Sequence, residues 1–133
     1  MMDTTLDQDT RTRFAEDGAV VLRGAISADW LETLREGVRK NIETPGRYAK
    51  VYTGEGASGF FFGDYYNWDR IGEYRKFLFD SGVGSLAASL MGSSKVNFFH
   101  EHVLVKEPQT EEPTPWHHDQ PYWVVDGTQV CSI

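Results

Sequence analysis

A chain of 133 residues with 40% hydrophobic and 14% aromatic residues has the length and apolar content of one packed domain, 1–133, and not of a disordered segment. Thirteen Lys and Arg against 20 Asp and Glu leave a net charge of −7, so no basic surface of the kind nucleic acids require is expected. No apolar run approaches the roughly 20 residues of a membrane span, the opening Met1 to Thr5 lacks a secretory pattern, and the single Cys131 fits a reducing cytoplasm.

The first element is a short helix from about Leu6 to Asp17, stopped by Gly18. Ala19 to Leu22, apolar and β-branched, reads as a short buried strand. Ser27 is a natural N-cap, and Trp30, Leu31, Leu34, Val38 and Ile42 recur at helical spacing to about Glu43, where Pro45-Gly46 ends the run. Arg47 to Trp68 interleaves glycines with aromatic residues and reads as strand and loop. It contains no phosphate-loop pattern. The Phe60-Phe61-Phe62 run suits either a strand buried on both faces or the wall of an apolar substrate pocket, with Phe62 and Tyr65 as pocket candidates.

Asp69 to Gly92 reads as two helical pieces. Ile71, Tyr74, Phe77 and Leu78 form the apolar face of the first, and Val83, Leu86, Ala87 and Leu90 that of the second, which Ser81 caps. From Val96 to Lys106 the pattern alternates with period two, so His100, His102 and Lys106 share one face of a strand. A turn rich in Pro and acid joins it to Trp116-His117-His118-Asp119-Gln120-Pro121-Tyr122-Trp123, and Thr128 to Ile133 reads as a further strand. Cys131 alternates within that run as a small buried hydrophobe, although a lone cysteine is also a candidate reactive thiol.

The chemistry concentrates at His117 and Asp119. On an extended strand residues i and i+2 point the same way, so an imidazole nitrogen and a carboxylate oxygen converge while His118 is aimed away. Moving the register by one pairs His118 with Gln120, a neutral amide and a poor ligand. His-x-Asp supplies two-thirds of a 2-His-1-carboxylate facial triad, which holds Fe(II) and leaves positions open. A bare His-x-Asp also matches surface loops by chance.

Two longer blocks carry more information. Phe98 to Pro108 followed by Thr114 to Trp123, together with Phe14 to Gly24 upstream, closely resembles the phytanoyl-CoA dioxygenase family over most of the chain. The resemblance implies an α+β fold, with N-terminal helices packed on part of a double-stranded β-helix, the jelly-roll of cupin-like enzymes. It also implies a non-haem dioxygenase that uses Fe(II), 2-oxoglutarate and molecular oxygen to hydroxylate a small-molecule substrate. His117 and Asp119 are then metal ligands and catalytic residues, and the carboxylate of Asp119 favours hydroxylation over halogenation. His102 and Lys106 become cosubstrate contacts; His100 and His102 also have the form of a metal pair, but such a pair with nothing further is usually structural, and the plain reading of Lys106 is a solvated strand-end cation. Trp116, Gln120, Tyr122 and Trp123 are expected around the metal as walls of the substrate pocket.

The family's distal His ligand and its 2-oxoglutarate-binding Arg lie further along than Ile133. The resemblance therefore implies a chain ending before the barrel is complete, with an open sheet edge able to self-associate. The competing reading is a truncated, catalytically incomplete member with at most a binding role. A cupin-like protein with another metal and non-redox chemistry is a third.

Overall fold

The computed structural model describes residues 6–133. Four helices and three strands follow one another as α1 (Gln8–Asp17), α2 (Ala28–Glu43), β1 (Lys50–Val51), β2 (Phe61–Tyr65), α3 (Gly72–Asp80), α4 (Val83–Met91) and β3 (His102–Lys106), with a 3-10 turn at Gln120–Tyr122. This is an α+β architecture.

The helix boundaries have local causes. Asp7 accepts a hydrogen bond from the Thr10 N–H at 2.7 Å to open α1, and Gly18 closes it in the left-handed conformation, φ 74°. Ser27 accepts from the Trp30 N–H at 3.4 Å to open α2, a cap of the kind worth about 1 kcal/mol. Ser81 ends α3 and accepts from the Val83 N–H at 3.1 Å, which turns the chain into α4.

The sheet is open and antiparallel, in the order β1-β2-β3. Phe61 pairs with Lys106 and Tyr65 with His102, so β2 is the central strand. Phe61, Phe62, Gly63 and Asp64 are all buried, and a strand covered on both faces carries a continuous apolar run in place of alternation. Phe62 is 2% exposed, and its burial contributes about 2–3 kcal/mol. The helical layer packs on the sheet through Ile71, Tyr74 and Val103, joined by Leu34, Val38 and Trp68. Trp30 meets Phe77 edge-on at 5.9 Å, locking α2 to α3.

Besides the segment that carries His117 and Asp119, described below, two strands expected from the sequence do not form. Ala19 to Leu22 and Thr128 to Ile133 have the right residues but no ladder partner among the described residues, and a strand exists only as part of a pair. Likewise the alternation from Val96 becomes a strand only from His102, because the five residues of β2 are the whole of its partner. Among the described residues no helix is long and apolar enough to cross a membrane.

Candidate metal centre

His117, His118 and Asp119 lie in irregular chain at the entrance to the 3-10 turn, not on a strand. Prolines explain the difference: Pro113, Pro115 and Pro121 bracket the motif, and proline donates nothing to a ladder. Asp119 adopts a helical conformation, φ −79° and ψ −26°, and its carbonyl accepts from the Tyr122 N–H at 2.9 Å. The turn brings together the side chains that a strand was expected to align. His117 Nε2 stands 3.3 Å from Asp119 Oδ1.

The other imidazole nitrogen is also engaged. His117 Nδ1 lies 2.8 Å from the Pro115 carbonyl oxygen, which can only accept, so Nδ1 carries the proton and donates. In the neutral ring Nε2 then keeps its lone pair, and that lone pair faces Asp119. Two ligand atoms each about 2.1 Å from a first-row divalent ion and at a right angle to one another are about 3 Å apart. The observed pair fits that requirement with little adjustment. Among the described residues no group of three His, Cys, Asp or Glu side chains gathers to hold a metal, so the fit concerns two positions of a triad.

His102 lies on the outer face of β3 and packs on Tyr65 at 4.3 Å between ring centroids. Partial burial lowers its pKa below the ordinary histidine value and the neighbouring His100 adds to this, while the Asp119 carboxylate acts in the opposite direction. Asp119 is thus within electrostatic reach of β3. Lys106 belongs to the same strand face, four residues further on. Its ammonium donates to the Glu112 carbonyl at 2.5 Å and covers the Phe61 ring, so it fastens the acidic loop to the sheet.

The remaining pocket candidates divide. Tyr122 meets the His117 ring edge-on at 6.2 Å but is otherwise exposed, and Trp116 stands fully in solvent instead of walling off the metal position. Gln120 donates to the Val125 carbonyl at 2.8 Å and so braces the turn. Trp123 faces away, into an apolar cavity of about 430 Å³ between α4 and the loop after α1. Phe62 belongs to the core, stacked on Phe60 at 6.0 Å, and keeps no face for a ligand. Cys131 is half-buried beside the same cavity, and burial raises its thiol pKa, which suits the packing reading.

Sequence reasoning missed Pro115, whose carbonyl orients His117, because a backbone acceptor leaves no side-chain signature. It also missed Asp64, fully buried at the centre of β2. A carboxylate inside an apolar strand is itself a signal, since burying it demands several donors.

No curated protein and no solved structure matches the chain. The model of the phytanoyl-CoA dioxygenase family matches residues 14–133, nearly the whole of this chain, including every residue of the His117–Asp119 motif and the β3 strand before it. The chain belongs to the phytanoyl-CoA dioxygenase family.

Proposed function

We propose that this protein is an Fe(II)- and 2-oxoglutarate-dependent oxygenase that hydroxylates a small molecule, with His117 and Asp119 as two of the protein ligands to iron. Family membership supports the reaction class, and one local observation carries the assignment of residues. His117 Nε2 and Asp119 Oδ1 converge at 3.3 Å while Nδ1 is held by the Pro115 carbonyl. On this reading the three-stranded sheet forms part of a jelly-roll barrel and the protein works in the cytoplasm.

When bound, iron and 2-oxoglutarate supply an oxidant that inserts one oxygen atom of O₂ into a C–H bond, with succinate and CO₂ as co-products. The residues of this chain prepare the site for it. The Pro115 carbonyl fixes the tautomer and tilt of His117, so no reorientation is needed on metal entry. Asp119 contributes a negative charge that offsets that of the cation. His102, held against Tyr65, offers a ring nitrogen on the outer face of β3, whereas the Lys106 ammonium is engaged by the Glu112 carbonyl, so we assign His102 as the cosubstrate contact in preference to Lys106.

A coupled assay tests the reading: succinate is measured with Fe(II), 2-oxoglutarate and O₂, and with each omitted in turn. Succinate release that needs all three supports the assignment. Iron-loaded protein that releases none, under O₂ and a panel of small-molecule substrates, contradicts it.

A further inference from the structure

Beside His102 the surface carries a group of rings that the metal site does not use. Tyr48 and Tyr66 lie 5.5 Å apart between centroids, Tyr66 and His100 5.3 Å, and Tyr48 and Tyr65 6.4 Å, so the rings run continuously to His102. Tyr48 is 42% and Tyr66 46% exposed, so part of each side chain is open to solvent. At the rim the Arg47 guanidinium sits 4.5 Å from the centre of the Tyr48 ring and the Lys50 ammonium 4.8 Å from that of Tyr52. Among the described residues no carboxylate pairs with either cation.

The backbone makes the arrangement more than incidental. Tyr66 has φ 59°, in the left-handed region where Gly or Asn is at ease and an aromatic side chain is strained. The turn is fixed by its neighbour: the Asn67 amide donates to the Tyr65 carbonyl at 3.1 Å and the Asn67 N–H to Glu101. The position asks for glycine and holds tyrosine, and strain of this kind collects where a side chain is needed for binding. The Nδ1 of His100, against which Tyr66 packs, is buried with no protein partner among the described residues.

We propose that Tyr48, Tyr66 and Arg47 form a recognition platform for a planar, conjugated small molecule bearing an anionic group. The molecule stacks on the tyrosine rings and its anion pairs with the guanidinium fork of Arg47. The proposal rests on the oxygenase reading only in treating this molecule as the substrate. The rings run from Tyr66 through His100 and Tyr65 to His102, the residue assigned above to the cosubstrate. Binding itself requires neither iron nor 2-oxoglutarate.

Calorimetric titration of the metal-free protein tests it with three matched probes: 4-hydroxybenzoate, planar and anionic; cyclohexanecarboxylate, anionic but puckered; and 4-hydroxybenzamide, planar but neutral. The first is expected to bind, and the other two about tenfold more weakly or less. Tyr66→Gly and Arg47→Gln each weaken 4-hydroxybenzoate about tenfold, whereas Tyr66→Phe keeps it. Tyr66→Gly also leaves Tm unchanged or raises it, because the backbone strain is released; a packing residue would instead lower Tm and leave binding alone. No binding of 4-hydroxybenzoate, equal binding of all three probes, or binding indifferent to Tyr66→Gly overturns the proposal. Binding retained in His117→Ala, with succinate formation lost, separates this platform from the metal centre. Binding present with no succinate from the intact protein leaves the platform standing and removes the oxygenase reading.

Discussion

Asp64 shows how a single charged residue is kept inside this protein. It is fully buried, and its carboxylate accepts from the Asn41 amide at 2.7 Å, the Gly46 N–H at 2.8 Å and the Tyr65 N–H at 2.9 Å, with the Arg70 guanidinium at 3.8 Å. Burial alone would raise its pKa, but these hydrogen bonds outweigh burial and hold it below the ordinary value of 3.8. The group therefore adds stability that is fully present above the unfolded-state pKa and is lost as pH falls through the lower folded value. Asp64→Ala leaves several donors unpaired and is expected to cost about 3–5 kcal/mol in urea denaturation at neutral pH. Asp64→Asn keeps the shape and is expected to cost about 1–3 kcal/mol, and to lose the part of the acid destabilisation below about pH 4 that belongs to this residue. Unchanged stability of Asp64→Ala would show that the network contributes nothing.

At the scale of elements, α2 and α3 approach closely at one glycine. A Cβ built on Gly37 lies 2.6 Å from Tyr74 Cε1, and Tyr74 cannot retreat because it is 5% exposed and its hydroxyl donates to Asn41 Oδ1 at 3.3 Å. Gly37→Ala gains about 1 kcal/mol of helix propensity but forces overpacking that costs about 1–3 kcal/mol. The clash wins, and thermal denaturation should show a lower Tm; a higher Tm would mean that the two helices separate freely.

The helices were legible because their causes are local: Ser27, Gly18 and the Trp30–Leu34–Val38 spacing lie within a few residues of what they determine. The strands were legible only where a partner happened to exist. Val103 and Val105 pair with Asp64 and Phe62 some forty residues earlier, and no alternation pattern states that distance. Val20 and Val21 carry the same strand signal without a partner.

For the molecule as a whole, His117 and Asp119 could be named as a pair from spacing, but not the means of bringing them together. The expected strand is a proline-bracketed turn, and the two geometries give the same convergence. Nor did the sequence separate His102 from Lys106, which share a strand face yet serve different neighbours, Tyr65 and Glu112. The helical layer packs on the sheet through Val103 and Val105 of β3, and Lys106 of the same strand fastens the acidic loop that leads to His117 and Asp119.

The central claim is that His117 and Asp119, and not His118, hold the iron. Anaerobic equilibrium dialysis of Fe(II) against the protein and its His117→Ala, Asp119→Ala and His118→Ala variants, with circular dichroism to verify folding, tests it directly. Removing either proposed ligand is expected to weaken iron binding by about a hundredfold or more, a loss of roughly 3 kcal/mol, while His118→Ala stays within about threefold of the unchanged protein. Equal weakening by His117→Ala and His118→Ala, or unchanged affinity in folded Asp119→Ala, would contradict the assignment.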